Sequence, residues 1–295
     1  MQLTTLGDVL TWAEAAFTKA KLTFGHGTDN AWDEAVALAL AVLELPPHVE
    51  RSVLKRVLTD QEKTVLLGLI QRRIEERIPA PYLTHEAWFA DLKFYVDERV
   101  IIPRSPMGEL ILNGFQPWLG GHSVHRILDL CTGSGCIAIT CASIFPDATV
   151  DAVDISKEAI AVAAINVQQH QCADRVTLIQ ADLFAKSEGK KYDIIISNPP
   201  YVDKTEMDHL PPEYRFEPRL ALEAGDDGLQ IVKRILKEAP YHLTESGLLW
   251  VEVGNAAEAL QLQYPKVPFT WLEFERGGQG VFLLAAEEKA CWSVF

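Results

Sequence analysis

A run of four residues, Asn198-Pro199-Pro200-Tyr201, directly follows a predicted apolar strand and carries groups suited to chemistry at nitrogen. A planar amide or amino nitrogen is a weak nucleophile because its lone pair is delocalised, so acceptors must hold its N–H bonds while charge develops. The side-chain carbonyl of Asn198 and the backbone carbonyl of Pro199 are such acceptors, and proline has no N–H that competes for them. Tyr201 adds an aromatic wall for a flat group or for a sulfonium cation. We expect Asn198, Pro199 and Tyr201 to be catalytic in methyl transfer to nitrogen, and all four residues to bind the substrate.

A second candidate site is the loop Asp129-Leu130-Cys131-Thr132-Gly133-Ser134-Gly135, which follows the first strand of the same region. Its glycines allow a tight turn, and the helix behind it offers free N–H groups to an anion. Asp154 ends the next strand and can accept hydrogen bonds from both hydroxyls of a ribose, while Asp182 follows the third strand, where an adenine edge is expected. The loop alone fits two cofactors, S-adenosyl-L-methionine or a dinucleotide, because Gly133-x-Gly135-x-x-Ala138 also satisfies the dinucleotide fingerprint.

The elements that must position both sites alternate between strand and helix after residue 121. Helices fit between most of the strands, including Ser156–His170 and Gly228–Ala239, which predicts an α/β fold with a mostly parallel sheet covered on both faces. The last two strands are joined only by Glu275–Gln279 and should therefore pair antiparallel. In such a sheet, ligands bind beyond the carboxyl ends of the central strands, where both candidate sites lie. The predicted strands are His125–Leu130, Thr149–Val153, Val176–Gln180, Asp193–Ser197, Leu248–Val253, Phe269–Phe274 and Gly280–Leu284.

The first part of the chain has a different pattern. Residues 5–78 show helical spacing only, with Asn30 as the cap of a helix over Ala31–Leu45 and a further helix that opens at Asp60. The segment Tyr82–Ile102 favours a hairpin, and Ser105 can cap a helix whose first residue is Pro106. We divide the chain into a helical domain at 1–80, a hairpin linker at 81–104 and a catalytic domain at 105–295.

The composition excludes several classes of protein. The 295 residues include 27 basic and 41 acidic side chains, a net charge of −14, which argues against a protein whose main task is to bind nucleic acid phosphates. No apolar run is long enough to span a membrane, and no secretory signal is visible. The five cysteines form no CxxC pair and the histidines have no metal-binding spacing, so we expect a cytoplasmic protein without a metal site.

With these motifs the sequence resembles the class I methyltransferases that modify an amide or amino nitrogen with S-adenosyl-L-methionine, and within them the protein-glutamine N(5)-methyltransferases. The resemblance covers nearly the whole chain, including Arg77–Leu83, Ile102-Pro103-Arg104 and Glu217–Leu229. It implies a Rossmann-like, seven-stranded sheet with an antiparallel last strand and a helical domain that recognises a translation protein. It also implies cofactor contacts at Asp129, Cys131, Thr132, Gly133, Ser134, Gly135, Asp154, Asp182, Leu183 and Asn198, where Leu183 takes the place of a tryptophan that stacks near adenine in one branch.

Two branches of that family compete, because one acts on peptide chain release factors and the other on the third protein of the large ribosomal subunit. The segments Leu83–Phe89, Ser105–Ile111 and Leu130–Cys136 resemble the ribosomal branch. Residues 91–295 hold 18 of the basic and 29 of the acidic residues, and this net charge of −11 would attract a basic ribosomal protein before assembly. Other hypotheses are an N(6)-adenine methyltransferase and a non-catalytic module that binds during ribosome assembly; we expect no membrane partner and no sequence-specific nucleic acid binding.

Overall fold

The computed structural model describes residues 3–275 and 277–295, in which a group of helices and a hairpin precede a seven-stranded sheet. Met1, Gln2 and Arg276, which belong to the predicted helical domain and to the predicted connection between the last strands, lie outside the described residues. None of the described helices is both long and apolar enough to cross a membrane. The first elements are α1 (Leu6–Lys19), α2 (Ala31–Val42), α3 (Asp60–Glu75), α4 (Ala80–Thr84), β1 (Glu86–Phe89) and β2 (Leu92–Tyr95).

Short polar side chains determine where the first helices begin. Asn30 caps α2 as predicted, since its side chain accepts a hydrogen bond from the backbone N–H of Asp33 at 2.9 Å. Thr59 and Glu62 form a reciprocal capping box at the start of α3. Helix α2 ends at Val42 rather than at the predicted Leu45, because the chain turns at Glu44, which has a positive φ of 52°.

The hairpin is shorter than predicted. Tyr82 lies in α4 instead of in an extended segment, and the two strands occupy only Glu86–Tyr95, with Ala90 and Asp91 at the turn. The apolar faces of the first helices share one core with the hairpin and with Ala159 and Val162 from the sheet region. The helices are therefore packed against the rest of the molecule through apolar side chains.

The sheet confirms the predicted fold class. Its order is β5-β4-β3-β6-β7-β9-β8, with β9 antiparallel to both neighbours and the remaining pairs parallel. Strand β7 starts five residues before its predicted start, and β8 is reduced to two residues of the six predicted. The strands are β3 (Arg126–Leu130), β4 (Thr149–Asp154), β5 (Val176–Gln180), β6 (Tyr192–Ser197), β7 (Leu243–Glu252), β8 (Thr270–Trp271) and β9 (Val281–Ala285).

Helices cover both faces of this sheet, and the order reverses between β3 and β6. Such a reversal opens a crevice at the carboxyl ends of these two strands, which is where open α/β sheets bind ligands. The helix predicted to begin at Pro106 begins one residue later, and Ser105 Oγ accepts a hydrogen bond from the Met107 N–H at 3.2 Å. The covering helices are α5 (Met107–Leu112), α6 (Cys136–Ile144), α7 (Lys157–Gln169), α8 (Lys204–His209), α9 (Gln230–Glu238), α10 (Ala257–Gln263) and α11 (Lys289–Trp292).

A buried ionic cluster ties the first helices to the sheet region. Arg73 of α3 is fully buried, and its Nε donates to Glu34 Oε1 of α2 at 2.6 Å. Glu213 comes from the single-turn helix at Pro212–Phe216, and its Oε1 lies 2.7 Å from Arg77 Nη2 and 3.7 Å from Arg73 Nη1. We call Glu34, Arg73, Arg77 and Glu213 the Arg73 cluster.

Removal of the central charge should destabilise the fold. We expect Arg73→Ala to lower the free energy of unfolding by about 3–5 kcal/mol, because it leaves the buried Glu34 carboxylate without its cationic partner and removes the second of the two cations near Glu213. Urea denaturation followed by circular dichroism measures the change. Arg72→Ala is the matched control, since Arg72 is half-exposed and, among the residues that the structure describes, forms an ion pair with Glu76 alone; such exposed pairs contribute little. Equal losses in the two variants would contradict the importance of the cluster.

Candidate active site

The run Asn198–Tyr201 leaves the sheet at the end of β6, beside the loop that follows β3. Ser197 Oγ donates to the carbonyl of Leu130 at 2.8 Å and so ties the two strand ends together. On the other side, Val202 N–H donates to the Leu222 carbonyl, and Ala224 N–H donates to the Val202 carbonyl, both at 2.9 Å. The run is therefore anchored to its surroundings at both ends.

Tyr201 is held by a buried carboxylate and by two glycines. Its hydroxyl donates to Glu252 Oε1 at 3.0 Å, and Ser105 donates to the other oxygen of the same carboxyl, whose pKa is raised by burial. A Cβ on Gly254 would lie 2.6 Å from Tyr201 Cε2, and one on Gly228 would lie 2.4 Å from the Tyr201 carbonyl oxygen. No side chain fits at either glycine, so the ring and the backbone of Tyr201 are closely confined.

Ser105, Glu252 and the two glycines were absent from the predicted site residues. Glu252 nevertheless leaves a signal in the sequence, because it is a single charge in the apolar stretch at Leu248–Val253. An acidic residue in a buried strand needs partners, and here they are two hydroxyl groups. Gly228 lies inside the segment Glu217–Leu229 that supports the family resemblance.

The loop after β3 is shaped by residues in the left-handed region. Cys131, Gly133 and Gly135 have φ values of 59°, 55° and 81°. Asp154, at the end of β4, accepts the N–H of Gly133 on Oδ2 and the N–H of Ser156 on Oδ1, each at 2.9 Å. The space next to Gly133 is open, whereas a Cβ on Gly135 would lie 3.2 Å from the Cβ of Ala163. Gly133 thus faces a cavity, and Gly135 allows close helix packing.

Asp129 supports this loop from behind. Its side chain is fully buried, and Oδ2 accepts hydrogen bonds from the Thr132 hydroxyl at 2.5 Å and the Ala138 N–H at 3.1 Å. Burial raises the pKa of Asp129 to about 7. Ser134 is also buried, and its carbonyl accepts from the Asn166 amide at 2.8 Å. Asp129, Thr132 and Ser134 are absent from the cavity lining described next, so their predicted contact with a cofactor stays a prediction.

Two cavities meet at Asn198. The first, which we call the loop cavity, is lined among others by Cys131, Gly133, Asp154 and Asn198. The second, which we call the Tyr201 cavity, has a volume of about 190 Å³, and Asn198, Pro199 and Tyr201 line it together with Arg104 and Tyr214. Within residues 3–275 and 277–295 the side-chain amide of Asn198 has no hydrogen-bond partner, so its carbonyl oxygen is available to a bound molecule.

Arg104 forms one wall of the Tyr201 cavity. Its guanidinium donates to both carboxylate oxygens of Glu217, at 2.5 and 2.9 Å, and lies 5.6 Å from the ring centroid of Tyr214. Glu217 is buried and also accepts the N–H of Ile102 at 3.0 Å. By contrast, Arg219 points outward and pairs with Glu223. Arg104 and Glu217 therefore belong to the site, and Arg219 does not line either cavity.

Two predicted cofactor residues lie apart from the loop cavity. Asp182 is exposed and pairs with Arg234 Nη2 at 2.9 Å. Leu183 is buried in the core beneath the loop. The predicted contacts of Asp182 and Leu183 with an adenine remain predictions.

The chain is similar to proteins of known family over most of its length. A relative from Francisella tularensis subsp. tularensis, named ribosomal protein uL3 glutamine methyltransferase, is 48% identical over 287 residues, which cover 97% of this chain and 91% of the relative. A relative of the same name from Xanthomonas campestris pv. campestris is 50% identical over 287 residues, which cover 97% of this chain and 93% of the relative. Residues 109–210 match the family model of the methyltransferase small domain.

Among solved structures, the hMettl16 catalytic domain in complex with MAT2A 3'UTR hairpin 6 is similar in fold. It has a TM-score of 0.50 and 20% sequence identity, with 81% of this chain and 86% of that chain covered. At this identity the likeness shows the fold alone, a class I methyltransferase sheet.

The buried Asp129 should give the stability of the protein a specific pH dependence. The native state keeps the Asp129 proton up to about pH 7, whereas the unfolded chain loses it near the ordinary pKa of 3.8, so stability must fall as pH rises between these values. The Asp129→Asn variant has no side chain that ionises at this position. We expect the unfolding free energy of the wild type, relative to the variant, to fall by roughly 2–3 kcal/mol from pH 5 to pH 8 in urea titrations. A difference that is constant with pH would show that Asp129 is charged in the native protein.

Proposed function

Because the chain belongs to the family of ribosomal protein uL3 glutamine methyltransferases, we propose that it transfers a methyl group from S-adenosyl-L-methionine to the side-chain amide nitrogen of a glutamine in ribosomal protein uL3. The observation that carries the proposal is the position of Asn198 at the junction of two cavities, with its carbonyl oxygen available. One cavity offers a ribose acceptor and a glycine loop, and the other offers a rigid aromatic wall.

The residues around the loop cavity fit S-adenosyl-L-methionine. Each oxygen of the Asp154 carboxylate accepts one backbone N–H and keeps a further lone pair for a ribose hydroxyl. Gly133 leaves open space for a close approach, and Ile155 and Leu220 present exposed apolar surface at the rim of the cavity. When bound, S-adenosyl-L-methionine supplies an electrophilic methyl carbon on a sulfonium.

Asn198 and Pro199 activate the acceptor. We propose that the side-chain oxygen of Asn198 and the backbone oxygen of Pro199 each accept one N–H of the glutamine amide, which offsets the positive charge that develops on nitrogen. Tyr201 packs against the flat carboxamide. The N–C bond would form as the C–S bond of the sulfonium breaks, and the sulfur would leave as a neutral thioether. These oxygens hold both amide hydrogens during the attack, so no charged general base is required at that stage, and the methylated nitrogen, which is strongly acidic, then gives one N–H proton to water.

The contacts that hold Asn198–Tyr201 in place support this role. Acceptors lower a barrier most effectively when they are already in place before the substrate binds. The hydrogen bond from the Tyr201 hydroxyl to Glu252 ties the ring to the end of β7, and the bond from the Val202 N–H to the Leu222 carbonyl fixes the backbone that follows. Proline at two consecutive positions restricts the remaining freedom.

The names of the relatives support uL3 as the substrate. We propose that residues 1–80 help to recognise uL3, that 81–104 link the two parts and that 105–295 carry out catalysis in the cytoplasm before or during ribosome assembly. Ribosomal proteins are basic, and the net charge of −11 over residues 91–295 favours the encounter with such a partner.

The decisive test uses the purified full-length protein with radiolabelled S-adenosyl-L-methionine and either free uL3 or a release factor. We expect one methyl group on one glutamine of uL3, identified by peptide mass spectrometry, and none on the release factor. Label on the release factor alone would move the enzyme to the other branch of the family, and label on DNA or RNA adenine would support the nucleic acid hypothesis.

Loss of the Asn198 acceptor should affect turnover much more than cofactor binding. We expect Asn198→Ala to lower kcat by at least about 100-fold, with the Kd for S-adenosyl-L-methionine within about tenfold of the wild type. Single-turnover assays and isothermal titration calorimetry measure the two quantities. Asn113→Ala is the control, because Asn113 is exposed at the end of α5 and lines neither cavity. Near-normal turnover of Asn198→Ala would remove this residue from the mechanism.

Loss of the Asp154 carboxylate should affect the binding of S-adenosyl-L-methionine more than turnover. We expect Asp154→Ala to raise the Kd for S-adenosyl-L-methionine by about tenfold or more, because two charge-assisted hydrogen bonds to the ribose are lost. Asp151→Ala is the matched control on the same strand, since the Asp151 carboxylate binds Lys190 and Tyr192 instead of facing the loop cavity. An unchanged Kd in Asp154→Ala would refute the role in ribose binding.

A further inference from the structure

Three neighbouring cavities, each sharing wall residues with the next, lie in a row from Asn198 to the first helices. The Tyr201 cavity shares Arg104 with a cavity of about 480 Å³, which we call the hairpin trough. The hairpin trough in turn shares Gly27, Trp88 and Pro103 with a third cavity of about 230 Å³ beside α2, which we call the α2 pocket. A polypeptide that places a glutamine in the Tyr201 cavity can therefore continue along this row.

The α2 pocket offers apolar surface that the protein itself does not cover. Its α2 wall includes the half-buried Val36, Ala37 and Leu40, whereas Leu38, on the other side of the same helix, is fully buried in the core. Trp88 stands where the pocket joins the trough, and its side chain is 44% exposed. An apolar side chain that enters the pocket would remove these surfaces from water.

His26 supplies an unsatisfied polar group in the wall of this pocket. Only 1% of the residue is exposed, and neither ring nitrogen has a hydrogen-bond partner in the described part of the chain. Burial lowers the pKa of His26 to about 4, so the ring is neutral at pH 7 and has one donor and one acceptor. Buried polar atoms of this kind are normally paired, and a polypeptide backbone carries both complementary groups.

His26 also connects the pocket with the acceptor site. Its ring packs on Tyr214, with 4.4 Å between the ring centroids, and Nε2 lies 3.9 Å from Glu217 Oε2. Tyr214 lines the Tyr201 cavity, and Glu217 holds Arg104 there. The α2 pocket and the acceptor site are thus separated by two packed rings, those of His26 and Tyr214.

Acidic side chains on the lining favour a basic partner. Asp33 and Glu86 line the α2 pocket, and Asp29 lines the hairpin trough. Glu86 is paired with Lys93 at 2.8 Å, so Asp29 and Asp33 carry this argument. Asp29 is exposed and makes no ion pair or hydrogen bond with any residue that the structure describes. Carboxylates in this arrangement attract lysine and arginine of a protein segment and repel nucleic acid phosphates.

We propose that the hairpin trough and the α2 pocket bind the uL3 segment next to the target glutamine, with one apolar side chain of that segment in the α2 pocket and its backbone hydrogen-bonded to His26. This inference rests on the proposed function. It adds that the trough and the pocket recognise the uL3 sequence next to the methylated glutamine. The apolar contact selects the segment, and the acidic lining accommodates its basic neighbours.

Occupation of the pocket by a larger side chain tests the proposal. We expect Ala37→Phe to raise the KM for uL3 by about tenfold, with kcat and the Kd for S-adenosyl-L-methionine within about twofold of the wild type. Ala16→Phe is the matched control, because Ala16 is a half-buried alanine of α1 that lines none of the three cavities. A KM within about twofold of the wild type in Ala37→Phe overturns the subsite.

The variant His26→Phe tests whether His26 contributes to uL3 binding or only to the stability of the fold. The substitution keeps an aromatic ring against Tyr214 and removes two unpaired buried nitrogens, so the melting temperature should be unchanged or higher. We expect the KM for uL3 to rise severalfold in the same variant. A lower melting temperature together with an unchanged KM would mean that His26 is only structural.

Photo-cross-linking locates the bound segment directly. With p-benzoylphenylalanine in place of Trp88, an exposed aromatic residue that lines both the trough and the pocket, irradiation in the presence of uL3 should attach the uL3 peptide that contains or adjoins the methylated glutamine. A cross-link only to a distant part of uL3 overturns the subsite. Wild-type enzyme that leaves uL3 unmethylated would instead overturn the proposed function and the subsite together, so the two failures are distinguishable.

Discussion

Two carbonyl oxygens can polarise a carboxamide only if they stay in place while charge develops on nitrogen. The surroundings of Asn198 and Pro199 meet this requirement at three points. Ser197 binds the neighbouring strand, Val202 binds the backbone of Leu222, and Tyr201 binds Glu252. The sheet provides the first and the third anchor, through Leu130 of β3 and Glu252 of β7, and the segment at 217–229 provides the second through Leu222. The fold around the site is arranged to keep four consecutive residues from moving.

Some of the residues that hold Asn198–Tyr201 in place lower the stability of the folded protein. Glu252 is buried with a raised pKa, and two glycines give up side chains so that Tyr201 can lie against the backbone. Glycine lowers stability because it has more freedom in the unfolded chain. Such local conflicts are expected where function rather than stability determines the residue. Asp129, which is buried behind the loop after β3, is a second example, because burial makes the ionisation of its carboxyl unfavourable and raises its pKa.

The sequence is informative wherever a local pattern decides the structure. Strand Val176–Gln180 and the cap at Asn30 depend on neighbouring residues only, and both were predicted correctly. The same is true of the placement of Asn198–Tyr201 at a strand end. The short β8 and the contacts of Glu252 depend on residues distant in the chain, which no local pattern encodes. Leu183 and Asp182 show the same limit, since the resemblance names positions without the packing that orients their side chains.

One short helix connects the first helices with the candidate active site. The single-turn helix at Pro212–Phe216 supplies Glu213 to the Arg73 cluster, and Tyr214 of the same turn faces Arg104 in the Tyr201 cavity. Because adjacent residues of one turn cannot move independently, the position of the cavity wall depends on the packing of the first helices. A catalytic part without those helices would lose the partners of Glu213 and would leave its carboxylate exposed. The helices are thus a structural component of the acceptor site.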